Sequence, residues 1–152
     1  MLYSIDELMD KYETSVGRNT NMLLGLVIDN RGLIPDADVK QAEKYGEAIR
    51  QRYGTPVAET SGKGSSLSLN LPSIMAVDRV IIQEEISEGE RVLAWHLEGS
   101  RPDGATIRLC EGTNIGHKRI ARFEPVELSS IKYVVDSCKA EPCVRRFAVF
   151  EK

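Results

Sequence analysis

Carboxylates are the most numerous groups in this 152-residue chain that could do chemistry, 23 of them against 20 lysines and arginines. Two of them converging on one bond could serve as acid and base. The closest candidate is Glu84-Glu85, but neighbours on a strand point to opposite faces, so at most one could face any given site. Gln83 and Glu84 have two readings, as buried polar residues bonding turn backbone or as ligand contacts. His96 and His117 are the only histidines, and neither has partners at the spacing of a metal set or a nucleophilic triad. Trp95 alternates with His96, so one of the pair should face the core. A core Trp and an exposed sugar-stacking platform are both open to it. Gly112 to Arg119 is a glycine-flanked turn entering a basic strand. Its His117, Lys118 and Arg119 could hold an anion or a sugar hydroxyl, or could pair with nearby acids. Gly62-Lys63-Gly64-Ser65 lacks the spacing of a phosphate loop. No residue is assigned a catalytic role, and neither a metal nor any other cofactor is expected.

These residues sit in a chain that changes period part-way along. Ser4-Ile5-Asp6-Glu7 is a capping box, followed by Ile5, Leu8, Met9, Tyr12 and Val16 at helical spacing, with Gly17 placed to end the helix. Met22 to Ile28 is apolar on both faces, which predicts a strand covered from both sides. A second helix should start near Pro35, bury Val39, Ala42, Gly46, Ile49 and Tyr53, and stop at Gly54. Residues 55–65, rich in Gly, Ser, Thr and Pro, read as a linker. After them the period becomes 2, and strands are predicted near 66–71, 78–84, 90–98, 105–110, 117–123, 126–135 and 144–150. Phe147 and Val149 should share one face of the last of these, with Ala148 and Phe150 on the other.

The fold class expected is mainly β: a jelly-roll, galactose-binding-like β-sandwich at 66–152, preceded by a helix–strand–helix at 1–54. That N-terminal piece is too small to close a sheet and must lean on something else. Its apolar strand makes a homodimer a further expectation. A net charge of −3 argues against a nucleic-acid partner. No apolar stretch approaches the roughly 20 residues of a membrane span, and the first residues do not form a secretory signal. Cys110, Cys138 and Cys143 have no zinc spacing. They read as buried free thiols, with a Cys138–Cys143 bridge as the alternative.

The phrasing of residues 77–123 carries a resemblance. Ile82-Gln83-Glu84, Ile86, Gly89 and Arg91-Val92, followed by Gly112-Thr113, Ile115-Gly116-His117-Lys118-Arg119-Ile120 and Arg122-Phe123, resemble the C-terminal β-sandwich of α-L-fucosidases, glycoside hydrolase family 29. Arg18 to Leu24 and Arg31 to Pro35 resemble the last strand of that family's catalytic barrel and the helix beyond it. With Tyr53 to Thr60, the resemblance covers nearly the whole chain. It implies a C-terminal part: 1–54 a barrel remnant, 55–65 the linker, 66–152 the sandwich. It also implies a parent that is exported and that removes terminal α-L-fucose with retention and without a cofactor. The family's nucleophile and acid/base residues lie earlier, so this chain alone is expected to be inactive. The catalytic barrel would be its partner, with glycans as further ligands. The contacts to glycan or barrel would fall to Gln83, Glu84, Trp95, His117, Lys118 and Arg119. A free-standing carbohydrate-binding module is the alternative.

Overall fold

The computed structural model describes residues 3–152. Two helices, α1 (Ile5–Thr14) and α2 (Asp36–Tyr53), precede six strands: β1 (Ala58–Lys63), β2 (Ser66–Glu84), β3 (Val92–Ser100), β4 (Thr106–Thr113), β5 (Arg119–Cys138) and β6 (Cys143–Glu151). The strands form one antiparallel sheet in the order β1-β6-β2-β5-β3-β4. It is mainly β, as expected.

The sheet folds over itself because its two longest strands bend. The first part of β2, Ser66 to Asn70, pairs with Ser130 to Val134 of β5, whose other edge carries β3. The last part of β2 runs between β6 and the start of β5. Register shifts separate these parts, between Asn70 and Met75 and between Val77 and Arg79. Pro72 lies in the first gap and Pro125 opposite the second, where a missing N–H interrupts no ladder bond. The predicted strands 66–71 and 78–84 are therefore one bent strand, as are 117–123 and 126–135. Proline there marks a bend, not a turn.

Folding the sheet brings Leu69, Val80, Ile82, Trp95, Leu97, Ile131, Tyr133, Phe147 and Val149 into one core, a sandwich-like arrangement. A second core lies on the outer face of β2, β5 and β6. There Leu8 and Met9 of α1 and Tyr45 and Tyr53 of α2 pack on Ile81, Ile120, Ala148 and Phe150. The alternation expected along β6 holds, with Phe147 and Val149 in one core and Ala148 and Phe150 in the other. Both faces of that strand are buried.

Three expectations need correction. Met22 to Ile28 is not a strand covered from both sides: it runs without a ladder partner among the described residues, Met22 packs against the second core, and Leu23 is 96% and Val27 77% exposed. The stretch 55–65 is not a free linker, because β1 pairs with β6 from Ala58 opposite Val149 to Lys63 opposite Cys143. An edge strand accepts Gly- and Ser-rich sequence, since only one of its sides must match a neighbour. The buried stripe of α2 is also rotated from the one predicted. Tyr53 is buried and Ile49 packs beside it as predicted, but Tyr45 joins them while Val39 is 41% exposed, and Ala42 lies beside Leu24 and Leu26.

Gly17 does not end α1, which stops at Thr14 with Ser15 as its cap; the glycine is required by close packing just beyond. A Cβ there would lie 2.9 Å from the Ile120 side chain. All three cysteines are free thiols, Cys138 exposed and the other two half-buried.

Candidate functional site

The singled-out polar residues gather where α1 and the segment after it meet β5 and the β2–β3 turn. The capping box of α1 forms as expected, with Ser4 Oγ accepting from Glu7 N and Glu7 reaching back to Ser4 N. This fixes the helix start and so the direction of its far end, which carries Tyr12 and Glu13. Glu13 is 5% exposed and accepts from Tyr53 Oη at 2.6 Å, Arg52 at 2.9 Å and Arg122 at 2.6 Å. Burial acts to raise the Glu13 pKa, but the Tyr53 hydroxyl and the two guanidiniums prevail and hold it below the ordinary carboxylate value. A catalytic proton donor needs the opposite shift. Glu13 is a brace between the helices and the sheet.

Glu84 is 1% exposed, and its carboxylate takes three backbone amides: Arg91 N at 2.9 Å, Val92 N at 3.0 Å and Gly116 N at 2.8 Å. It ties the β2–β3 connection to the turn before β5. Gln83 donates to the His117 carbonyl at 3.1 Å across the same gap. His117 N donates to Asn19 Oδ1 at 2.7 Å, while Lys118 Nζ lies 3.3 Å from Tyr12 Oη. Asn19 also donates to Glu90 at 2.7 Å. The turn residue Gly116 has φ +63°, and a Cβ there would collide with the Asn19 amide. We expect Gly116→Ala to detach Asn19 from His117 and to cost about 2 kcal/mol, read from urea denaturation.

Trp95 is 1% exposed, and its indole N–H points to the Thr113 and Asn114 carbonyls at 3.2 and 3.3 Å. The sugar-platform reading requires an open ring face. One side of this ring meets Gly112, where an added Cβ would sit 2.7 Å from Trp95 Cζ2, and the Arg119 guanidinium lies 5.8 Å from its centroid. Gly112→Ala should therefore force the indole to shift and lower stability by about 2 kcal/mol, measurable as a fall in thermal midpoint.

Arg119 also borders a cavity of about 440 Å³ between the end of α1 and β5, lined by Asp10, Glu13, Arg18, Cys110, Glu124 and their neighbours. Burial pushes the Cys110 thiol up to about 11, so it is not a nucleophile at neutral pH.

The structure thus brings Gln83, Glu84, His117, Lys118 and Arg119 together, with Trp95 beneath Arg119. Sequence reasoning missed Glu13, Asn19 and Tyr53, whose partners lie 39 to 109 residues away. The signal available was a lone acid on the apolar side of α1, next to Tyr12. His96 contacts Asp136 at 2.8 Å through Nδ1 and Glu98 at 3.3 Å through Nε2, on a different face. No group of three or more His, Cys, Asp or Glu side chains among the described residues could hold a metal ion.

The chain is thus a mainly β domain, one folded-over antiparallel sheet with two helices packed on its outer face. In sequence and fold the chain matches the C-terminal part of α-L-fucosidases of glycoside hydrolase family 29. It is 39% identical to a Bacteroides thetaiotaomicron protein assigned as an α-L-fucosidase, with a TM-score of 0.97 over 99% of this chain and 34% of that one. A glycoside hydrolase 29 family member from a rumen bacterium is 28% identical, with a TM-score of 0.87 over 97% of this chain and 28% of its own. Alpha-L-fucosidase 1 of Arabidopsis thaliana is 26% identical over 95% of this chain. The chain spans about a third of the length of that curated relative, 36%. No protein-family model matches it.

Proposed function

We propose that this chain is the accessory C-terminal part of an α-L-fucosidase-type retaining glycosidase, docking against a catalytic barrel that carries both catalytic carboxylates. The parent activity is removal of terminal α-L-fucose. The observation that carries this reading is the run from Leu23 to Ile28. It is apolar, without a ladder partner among the described residues and largely exposed, within a chain that matches fucosidases almost end to end. Leu24 and Leu26 lie over α2 beside Gln41, Ala42 and Tyr45, so α2 covers them from one side and leaves the other for a neighbouring strand. On this reading 1–54 is a barrel element that shares its second core with the sandwich. Gln83, Glu84, His117 and Lys118 brace that joint and do not bind glycan. Burial of Trp95 counts against the free-standing carbohydrate-binding module.

The test is a graft. The third of the Bacteroides thetaiotaomicron relative that aligns with this chain is replaced by this chain, and hydrolysis of 4-nitrophenyl α-L-fucoside is followed. The graft should restore soluble turnover that the truncated relative lacks. Leu24→Ser with Leu26→Ser should remove it again without changing the melting of the isolated chain. Turnover by the isolated chain itself would overturn the assignment of catalysis to the barrel.

A further inference from the structure

The loop after the exposed apolar segment is ordered by a set of bonds that the rest of the chain does not require. The Asp29 carboxylate takes four donors: Oδ1 accepts from Arg31 N at 2.8 Å and Leu33 N at 3.2 Å, and Oδ2 from Arg31 Nε at 2.8 Å and Nη2 at 2.6 Å. Backbone bonds close the same turn, Asp29 N to the Leu33 carbonyl at 2.8 Å and Gly32 N to the Asp29 carbonyl at 3.0 Å. Every one of these partners lies within residues 29–33, so the loop braces neither α1 nor the sheet. The connection at the other end of the segment is the one tied to the sheet, through Arg18 opposite Arg119 and Asn19 on His117. Arg31 is thus fixed by its neighbour, with its side chain 65% exposed and Nη1 without an acceptor among the described residues. The Arg31 guanidinium first, and the loop amides with it, hold the Asp29 carboxyl below its ordinary value, so the pair stays ionised and carries no net charge. Fixing an exposed arginine costs side-chain entropy that a surface ion pair scarcely offsets, which points to a use for its position and not for its stability.

We propose that Arg31 is a specificity-determining residue of the parent glycosidase, donating hydrogen bonds to the sugar on the leaving side of the fucosyl bond, and that Asp29 positions it. This rests on the docking proposed for residues 23–28. On that reading they are a barrel strand, and residues 29–34 are the loop leaving its C-terminal end, where such barrels carry their active sites. A terminal fucose occupies the depth of such a site, and the rest of the glycan emerges past the loops at its rim. The free Nη1 donors of Arg31 suit hydroxyl oxygens there. Because Asp29 already balances the charge, the guanidinium favours a neutral sugar over an anionic one.

The test uses the grafted enzyme, with kcat/KM measured on fucosyl-galactose and fucosyl-N-acetylglucosamine disaccharides and on 4-nitrophenyl α-L-fucoside, whose leaving group has no sugar hydroxyls. Arg31→Ala should lower kcat/KM on the better-cleaved disaccharide about tenfold more than on the nitrophenyl substrate. Asp29→Asn should shift the same ratio in the same direction, because it releases Arg31. Neither variant should change thermal melting, since the loop is exposed and bonded only to itself. A ratio unaltered by Arg31→Ala, or an unsubstituted graft that cleaves the nitrophenyl fucoside and neither disaccharide, overturns this proposal and leaves the docking reading standing. A graft that turns over none of the three substrates overturns the docking reading and this proposal with it.

Discussion

Glu84→Ala should lower the unfolding free energy by about 4 kcal/mol, the largest single-site loss expected in this protein. The Glu84 carboxylate is 1% exposed and is the acceptor for the amides of Arg91, Val92 and Gly116. Alanine leaves three N–H groups without an acceptor where little water enters, each costing about 1–3 kcal/mol if nothing relaxes, and local loosening recovers part of that sum. Glu84→Gln separates the two contributions. Its amide oxygen can serve the Arg91 and Val92 side or Gly116, but its NH₂ then faces an amide donor, so the loss should be about half that of alanine. Urea denaturation of the three proteins checks this. A variant within about 1 kcal/mol of wild type would mean that the β2–β3 connection is held by its apolar contacts alone.

Glu13 should give the second largest effect, and a pH-dependent one. Glu13→Gln removes a buried charge from between Arg52, Arg122 and Tyr53. Because both arginines are partly exposed and water screens them, we expect a loss at neutral pH of about 2 kcal/mol, below that for a fully buried pair. The folded Glu13 pKa is depressed against burial by the hydroxyl and guanidinium donors. A depressed carboxylate stabilises the fold fully above its unfolded value, and the contribution fades as pH falls through the folded one. The gap between wild type and Glu13→Gln should hold from neutral pH down to the ordinary glutamate value of about 4.3 and close only as pH falls below it through the depressed folded value. Tyr53→Phe should shrink it too, since burial and Glu13 both raise the Tyr53 pKa and keep that hydroxyl a donor. A gap that widens in acid would assign the brace to hydrogen bonding without charge.

What could be read from residue order was whatever depends on near neighbours in the chain. The capping box at Ser4–Glu7, the period-2 alternation of β6 and the left-handed turn at Gly116 are local patterns, and each forms as read, whereas Gly112 belongs to β4 and not to the turn. The fucosidase likeness was also legible, because it rests on a contiguous phrase. Local chemistry singled out Gln83, Glu84 and Lys118, which the fold brings near one another, without saying what they hold. The remaining errors share one cause. Met22 to Ile28 has strand composition, yet a strand exists only when a neighbour supplies its ladder, and none does here. Residues 58–63 have loop composition, yet β6 offers a free edge and pairs with them. Glu13 reads as an ordinary helix acid until Arg122, distant in sequence, arrives beside it. Hydrogen-bond partners and burial belong to pairs of segments, so the period of the chain determined which residues could face inward, and only the folded sheet decided what each of them met.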